Sequence, residues 1–330
     1  MGIISPIGNN IKEYSNNLKN GKNGINFIES FDTSDYNVNI AGEVKIDLNQ
    51  FFDRRLLNRM DRFSALAILA SDQAITQANL ENTNLDKNKI GVILGSGIGG
   101  ISTFESEHKK LLKSPRKVSP FFIPSMISDI ASGHISIKYG LKGPNYGLVS
   151  ACATASHCIG DAYRMIQYGD ANVIIAGGSE STITPMALAG FSNMKALSTS
   201  NNPKSASRPF DLNRDGFVMG EGAGFLVLEE LEHALSREAN IYAEFKGYGV
   251  SGDAHHITAP SEDGDGGFRA MKQSINMANI SLEDINYVNA HGTSTVKGDE
   301  IELNAISKLF KHDMCVSSTK SSIGHLLGAA

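Results

Sequence analysis

Short apolar runs alternate along this chain with longer segments of helical periodicity. Buried strands are predicted at Ile90–Leu94, Tyr146–Val149, Val173–Ala176, Phe225–Leu228, Tyr287–Val288 and Val316. Helices are predicted at Phe63–Ala78, Ala155–Tyr168, Gly267–Ala278 and Glu300–Phe310. This alternation predicts an α/β fold, and 330 residues suffice for one large domain or two fused ones.

The same order of elements occurs twice. In the first part an apolar strand ends in GSGIGG and a later strand runs into SACATAS; in the second, YVN ends in AHGTST and a later strand runs into SSTKSSIGH. A charged helical stretch at 229–240 separates the two parts. We therefore predict two similar halves, 1–240 and 241–330, with a site between them.

Composition and charge argue against several classes of protein. A net charge of −5 gives no reason to expect a nucleic-acid partner. No run approaches the roughly 18 apolar residues of a membrane span, and the start MGIISPIG lacks the basic region of a secretory signal. Three cysteines without paired spacing argue against a disulfide framework and favour a reducing compartment, the cytoplasm.

Cys152 lies where the apolar run Tyr146–Val149 gives way to the small residues of SACATAS. A helix predicted to begin there would favour the thiolate, the reactive form of cysteine, through its unpaired N–H groups and its dipole. Small neighbours would leave room for a bulky group to reach the sulfur. The alternative is a small buried apolar side chain among alanines, the commoner role of a single cysteine.

Two histidines occupy matching places in the repeat. His291 follows the strand ending at Val288, and His325 follows the strand around Val316; open α/β sheets carry their reactive groups at such strand ends. A single histidine more often has a structural role, but two beside glycines, together with Cys152, form a candidate site. The three are far apart in sequence and lack the short spacing typical of metal ligands, so no metal site is predicted.

The segment GSGIGG formally matches a dinucleotide-binding motif. The acidic residue expected about 20 positions later is absent, because residues 114–121 read SPRKVSPF. The glycines instead predict tight backbone packing beside a cleft, with Ile98 pointing into it.

Four blocks, SACATASHCIG, ASRPFDLNRDGFVMGEGAG, VNAHGTST and STKSSIGHLLGAA, resemble the signature blocks of β-ketoacyl-acyl-carrier-protein synthases, the condensing enzymes of fatty acid synthesis. The resemblance spans nearly the whole chain. GSGIGG, PRKVSPFFIPSMI and GEGAG are most similar to the elongating type II enzymes, whereas SACATASHCIG is more similar to the type I branch. The resemblance implies a thiolase-like αβαβα fold built from two similar halves, usually as a homodimer.

The resemblance also implies a reaction. Cys152 would accept an acyl chain from acyl carrier protein as a thioester, and the carbanion formed when malonyl carrier protein loses carbon dioxide would attack it. His291 and His325 would hydrogen-bond the thioester oxygen, where negative charge develops. Lys320 would organise the second histidine, although a solvated surface lysine is the alternative. The enzyme would need no cofactor of its own, because the phosphopantetheine arm arrives on the carrier.

Further residues match binding positions of the family. Those implied to contact the phosphopantetheine arm or the acyl chain are Thr293, Thr295, Thr258, His256, Ile98 and Phe191. Those implied to dock the acidic carrier protein are Arg55, Arg59, Arg116, Lys117 and Lys195. A solvated face is the alternative for any such group of charges.

Other classes remain open at this stage. A type I elongating synthase or a polyketide-type ketosynthase would share these blocks. A thiolase would carry a second catalytic cysteine where His325 stands, and a non-catalytic chain-length partner would lack Cys152. Compared with the family, the chain opens near the end of the first strand and stops at GHLLGAA, before an expected Gly-Phe-rich loop. We therefore expect an incomplete frame, poorly soluble and inactive as it stands.

Overall fold

A computed structural model describes residues 1–81 and 84–330. The strands within these residues are β1 (Gly2–Ile4), β2 (Asn26–Phe27), β3 (Ile40–Ala41), β4 (Ile90–Gly95), β5 (Asn145–Leu148), β6 (Val173–Glu180), β7 (Gly222–Glu229), β8 (Tyr287–Asn289) and β9 (Cys315–Ser317). The α-helices are α1 (Ile11–Lys19), α2 (Arg54–Leu57), α3 (Arg62–Gln77), α4 (Ile101–Leu111), α5 (Phe122–Met126), α6 (Ile130–Tyr139), α7 (Thr154–Gln167), α8 (Pro185–Asn193), α9 (Leu231–Ser236), α10 (Asp265–Ala278), α11 (Val296–Leu309) and α12 (Lys320–Ile323).

The main sheet has five strands in the order β1-β7-β6-β4-β5. β4 runs parallel to β5 and β6, whereas β7 runs antiparallel to β6 and β1. Every residue of β4 and β6 is buried, as expected for central strands with both faces covered. The carboxyl ends of the parallel strands β4, β5 and β6 therefore meet at one edge of the sheet.

Helices cover the two faces of this sheet. Val173 and Ile175 of β6 pack into the core that contains Phe63 and Leu66 of α3, whereas Ile174, on the opposite face, packs with residues of α7. This division follows from the alternation of side chains along a strand. The result is a layer of helix, sheet and helix in the first half.

The second half contains a smaller parallel sheet, β8 with β9. Helices α10 and α11 pack with its strands through a separate core that includes Ile275, Ile306, Val288 and Val316. No helix among residues 1–81 and 84–330 is both long and apolar enough to cross a membrane.

The predicted strands and helices are confirmed, with ends that differ by a few residues. The strand predicted at Val173–Ala176 continues to Glu180, because GGSE also pairs with β7. Strands β1 to β3 and helices α1, α2, α5, α6 and α8 were not predicted. The division into 1–240 and 241–330 stays a prediction.

Tyr248 packs on α7, against His157 and Arg164. A Cβ atom at Gly160 would overlap the ring of Tyr248, which is buried. We expect Gly160→Ala to lower the free energy of unfolding, because overpacking costs about 1–3 kcal/mol and the better helix propensity of alanine returns only about 1 kcal/mol. Urea unfolding followed by circular dichroism measures the change.

Gly133→Ala in α6 is the matched control, since no atom lies within 4 Å of a Cβ built at that position. This variant is expected to be as stable as the wild type or more so. The double variant Gly160→Ala/Tyr248→Ala tests the cause. Because removing the Tyr248 ring removes the overlap, Gly160→Ala should lower the free energy of unfolding less in this background than in the wild type. Equal stabilities for the Gly160 and Gly133 variants would contradict the proposed packing.

Candidate active site

Cys152 lies in a tight turn between β5 and α7. Ala151 has a left-handed backbone, with φ 49°, and residues Ala151–Ala153 form one turn of 3-10 helix before α7 begins at Thr154. The Thr154 hydroxyl donates to the carbonyl of Ala151 at 2.8 Å and accepts the N–H of Ser150 at 2.8 Å. The turn therefore presents Cys152 at the tip, two residues before the α-helix rather than at its first residue as predicted.

His325 is held by its backbone on both sides. Its N–H donates to the carbonyl of Val218 at 2.7 Å, and its carbonyl accepts the N–H of Gly220 at 2.9 Å. Its Nδ1 accepts the N–H of Leu327 at 3.3 Å, so the neutral ring carries its proton on Nε2. That Nε2–H points at Cys152 Sγ, 3.1 Å away.

His291 stands beside His325 in the opening of the site. The two rings are edge to face, with centroids 5.2 Å apart. The backbone N–H groups of His291 and Gly292 donate to the two carboxylate oxygens of Glu302 at 2.6 and 2.7 Å, which fixes the loop after β8. The ligating atoms of Cys152, His291 and His325 all lie within 4.8 Å of one another, so the structure brings together the three residues that the sequence singled out.

This convergence shows that the spacing argument against a metal was unsound, because the fold brings together donors that are distant in sequence. The hydrogen bond from Leu327 nevertheless turns a proton of His325, not a lone pair, toward Sγ. A metal-bound histidine needs the opposite tautomer, with its other nitrogen donating outward.

Burial raises the pKa of the Cys152 thiol, the positive charge of Lys320 lowers it, and the charge of Glu180 raises it. The expectation that the helix terminus would favour the thiolate is therefore wrong in its net effect, because the cost of removing the charge from water dominates. His291 is exposed at the opening of the site, but the protein packed around its ring and the charge of Lys320 still lower its pKa to about 4. Burial, His291 and Lys320 lower the pKa of His325 well below its usual range. Both rings are thus neutral at pH 7.

Lys320 is buried at the start of α12, with 8% of its surface exposed, which contradicts the surface-lysine alternative. Burial lowers the pKa of its ammonium group, while the charges of Glu302, Cys152 and Asp299 raise it. Asp299 and Glu302 were not identified from the sequence. The signal was present, because two acidic residues three apart share one face of a helix that directly follows the predicted His291 loop.

The GSGIGG loop packs tightly beside the site, as predicted. Glu180 at the end of β6 accepts the hydroxyl of Ser96 and the N–H of Gly97, both at 2.7 Å. It also accepts the N–H of Gly328 at 2.9 Å. Ile98 remains 40% exposed at the tip of the loop. Glu180 was another residue that sequence analysis missed.

The residues predicted to bind substrate occupy different surroundings. Thr293 and Thr295 lie just after His291 with their hydroxyl oxygens 3.0 Å apart. Phe191 packs on Phe217 with ring centroids 5.5 Å apart, and Phe217 packs on His325 at 5.3 Å. An aromatic path thus leads from Phe191 to the site, through a residue that sequence analysis missed.

His256 and Thr258 are exposed in an irregular segment, where the N–H of Thr258 donates to Nδ1 of His256 at 3.2 Å. No described contact joins either residue to Cys152.

The five residues predicted to dock the carrier are all exposed. The guanidinium of Arg59 lies 4.6 Å from the ring centroid of Phe121, just after the turn that carries Arg116 and Lys117. These residues therefore lie on neighbouring segments. Arg55 is in α2, and Arg59 follows the end of the same helix. Lys195 follows α8.

A cysteine in the turn between a strand and a helix, close to two histidines that each follow a strand of the smaller sheet, is the arrangement of a thiolase-like fold of the condensing type. Models of the β-ketoacyl synthase N-terminal and C-terminal domains match residues 1–234 and 242–330. The chain belongs to the β-ketoacyl synthase family.

Named relatives agree with this assignment. The chain is 52% identical over 335 aligned residues to 3-oxoacyl-[acyl-carrier-protein] synthase 2 of Staphylococcus aureus (strain N315), covering 100% of this chain and 81% of the relative. A solved β-ketoacyl synthase from Burkholderia phymatum STM815 superposes with a TM-score of 0.92 at 34% identity, over 100% of this chain and 82% of that one. A type II polyketide ketosynthase, solved in complex with its acyl-carrier protein and bound to the hexaketide, superposes with a TM-score of 0.91 at 31% identity, over 99% and 81%.

Proposed function

We propose that the protein catalyses the decarboxylative Claisen condensation of malonyl-acyl carrier protein with an acyl chain held on Cys152, giving β-ketoacyl-acyl carrier protein in fatty acid elongation. The observation that carries this proposal is the 3.1 Å contact between Cys152 Sγ and the Nε2–H of His325. The name of the Staphylococcus aureus relative supports the same reaction.

In the first half-reaction, Cys152 attacks the thioester carbonyl of the acyl carrier protein. The new carbon–sulfur bond forms as the bond to the pantetheine sulfur breaks, and that sulfur leaves with a proton. Because burial raises the pKa of Cys152, the developing thiolate needs stabilisation. The Nε2–H of His325 and the positive charge of Lys320 provide it.

In the second half-reaction, the malonyl thioester oxygen lies between the rings of His291 and His325. Loss of carbon dioxide leaves an electron pair delocalised onto this oxygen as an enolate. Neutral imidazole N–H groups held in advance stabilise that charge without titrating. The carbanion attacks the acyl carbonyl on Cys152 and forms the new carbon–carbon bond. The carbon–sulfur bond then breaks, and its electron pair stays on Cys152 as the thiolate.

Binding roles follow from the positions around the trio. Thr293 and Thr295, directly after His291, are proposed to hydrogen-bond the phosphopantetheine arm. His256 and Thr258 are proposed to line the same path on the family resemblance alone. Ile98 and Phe191 are proposed as walls of the acyl pocket. The protein is proposed to need no cofactor of its own, because the arm belongs to the substrate carrier.

The proposal is tested by incubating the protein, expressed both as these 330 residues and from the full open reading frame, with acyl and malonyl carrier proteins and following the carriers by mass spectrometry. A β-ketoacyl carrier two carbons longer than the acyl donor is the expected product. Cleavage of free acyl-CoA without this product would contradict the proposal and favour a thiolase.

A polyketide-type ketosynthase is the second candidate, and the likeness to the type II polyketide enzyme favours it. The two differ in what they accept as the next acyl donor. An elongating fatty acid synthase takes a saturated chain, whereas a polyketide enzyme extends its own unreduced β-ketoacyl product. Repeated condensation in the absence of any reductase would favour the second candidate.

The carrier protein is proposed to dock on the exposed basic residues. Reversing the charge of Arg116 and Lys117 to Glu is expected to raise the KM for acyl carrier protein about tenfold and to leave kcat nearly unchanged, because such charges steer encounter more than they stabilise the reacting complex. Steady-state assays at low and high salt measure this effect.

Lys12→Glu is the matched control, since Lys12 is also exposed but lies on α1. It is expected to leave the KM unchanged. The difference between the docking variant and the wild type should shrink at high salt, where charges are screened. Equal KM values for the docking variant and the wild type at low salt would show that Arg116 and Lys117 do not belong to the docking surface.

A homodimer is proposed from the exposed edge of the main sheet. β5 is the edge strand and pairs with β4 among the described residues. Val149 at its end is 59% exposed and Ile137 on α6 is 82% exposed. An open strand edge beside apolar side chains favours association with a second copy.

Sedimentation equilibrium is expected to give twice the chain mass, and Ile137→Asp to shift the equilibrium toward monomer. A wild-type protein that sediments as a monomer would contradict the proposal. The cytoplasm is the proposed compartment, supported by the three cysteines, which are all free thiols.

A further inference from the structure

Glu180 is a buried carboxylate that the proposed reaction does not use. Its side chain is fully shielded from solvent at the end of β6, and among the described residues it has no ion pair with a lysine or arginine. A buried charge without a cation is costly unless hydrogen bonds satisfy it. The hydrogen bonds that Glu180 accepts from four donors must therefore stabilise its charge in place of a cation.

Those donors come from two segments that flank the candidate site. Oε1 accepts the hydroxyl of Ser96 at 2.7 Å and the N–H of Ile98 at 3.3 Å. Oε2 accepts the N–H groups of Gly97 at 2.7 Å and Gly328 at 2.9 Å. Three of the four are backbone N–H groups, which only donate. Burial raises the pKa of the Glu180 carboxyl, and these hydrogen bonds oppose that shift by stabilising the carboxylate.

The two segments carry functional candidates. Ile98 is the proposed wall of the acyl pocket. Gly328 follows Leu327, whose N–H fixes the donor tautomer of His325. The contact is close: a Cβ at Gly97 would lie 2.7 Å from Oε2 of Glu180, and one at Gly328 would lie 2.8 Å from the same atom.

We propose that Glu180 is a positioning residue that ties the acyl-pocket loop at Ile98 to the loop that orients His325. Through this link it sets the direction of the Nε2–H on His325 and the place of the pocket wall. The catalytic consequence rests on the proposed condensation, whereas the link itself does not.

Two substitutions separate the parts of this role. Glu180→Ala removes all four acceptor contacts, so malonyl decarboxylation, which needs a correctly aimed His325, is expected to fall at least tenfold. Glu180→Gln keeps one oxygen for Gly97 and Gly328 and turns its amide toward Ser96, whose hydroxyl can accept it. The amide loses the 3.3 Å contact with the Ile98 N–H, which cannot accept a hydrogen bond. Glu180→Gln is expected to restore most of the decarboxylation rate.

The chemistry of Cys152 gives a readout independent of condensation. The charged groups that influence its thiol are Lys320 and Glu180, and the rings of His291 and His325 stand against it. Because Glu180→Gln removes a nearby negative charge, alkylation of Cys152 by iodoacetamide is expected to reach its half-maximal rate at a lower pH than in the wild type. Peptide mapping identifies the alkylated cysteine.

Glu43→Ala is the matched control. Glu43 is also a buried carboxylate that accepts two backbone N–H groups, those of Glu29 and Ser30, but no described contact joins it to the site. Loss of decarboxylation in Glu180→Ala, recovery in Glu180→Gln and neither effect in Glu43→Ala would support the proposal. Wild-type decarboxylation and alkylation in all three variants would overturn it.

If Glu180→Ala does not fold, Glu180→Gln and Ser96→Ala decide the question through the alkylation profile and the chain-length dependence of KM. Ser96→Ala removes one donor from Oε1 and leaves the link to Gly328, so it is expected to alter KM for long acyl chains but not decarboxylation. An unchanged alkylation profile in Glu180→Gln would overturn the proposal. So would an unchanged KM in Ser96→Ala. If the wild type showed no condensation but Glu180→Gln still shifted the pH profile of Cys152 alkylation, only the proposed function would be refuted.

Discussion

Replacing Cys152 with alanine is expected to abolish the acyl-enzyme and to lower condensation by at least about 10⁴-fold, the scale of losing a catalytic nucleophile. The reason is that, among the described residues, Cys152 is the one cysteine that lies with His291 and His325. Decarboxylation of malonyl carrier protein is expected to survive, because His291 and His325 remain in place. Mass spectrometry of the intact protein and its peptides measures the first effect, and carbon dioxide release measures the second.

The other two cysteines are the controls for Cys152. Cys158 is fully buried and packs with Ile93 and Ile174, and burial raises its pKa to about 12. Cys315 is exposed at the start of β9. Cys315→Ser is expected to acylate like the wild type, and Cys158→Ala to acylate with some loss of stability. An acyl group mapped to Cys158 or Cys315 would contradict the assignment of the nucleophile.

Changing either His291 or His325 to alanine is expected to slow malonyl decarboxylation by roughly 10²- to 10³-fold, because each change removes one donor to the enolate oxygen. The two variants should differ in the first half-reaction. His325 contacts Cys152 Sγ directly, so His325→Ala should also slow acylation, whereas His291→Ala should leave acylation close to the wild-type rate. Separate single-turnover assays of the two half-reactions distinguish these outcomes.

His108→Ala is the control for these histidine variants, since His108 is exposed on α4 and stacks on Phe104. It should leave both half-reactions unchanged. Decarboxylation at the wild-type rate in both His291→Ala and His325→Ala would exclude the two rings as donors.

Much of the fold could be predicted because the central strands are continuous apolar runs. β4 and β6 are buried on both faces, and their composition shows this directly. The short strands β1, β2 and β3 were missed because two or three residues carry no period. Strands β8 and β9 are equally short, but the repeated blocks that follow them, AHGTST and STKSSIGH, revealed them. Helix α6 was missed because its sequence, IASGHISIKY, contains glycine, serine and β-branched residues that favour other conformations.

The candidate site, like the fold, could be predicted only in part from the sequence. Cys152, His291 and His325 lie in blocks whose residue types can be recognised locally. Glu180 and Phe217 could not be assigned, because their roles depend on contacts with residues distant in sequence, such as Gly328 and His325. The direction of the Cys152 pKa was also wrong, since the cost of burial depends on the surrounding fold and not on the helix that follows the cysteine.

The backbone bonds that hold His325 between Val218 and Gly220 also bear on how the enzyme folds. The contact between Cys152 and His325 spans 173 residues, so closing it costs chain entropy that local structure cannot repay. Contacts of such high sequence separation slow folding. Refolding protein should therefore regain its helices before it regains acylation. The time between these two signals measures how late the last segment of the chain docks onto the first half.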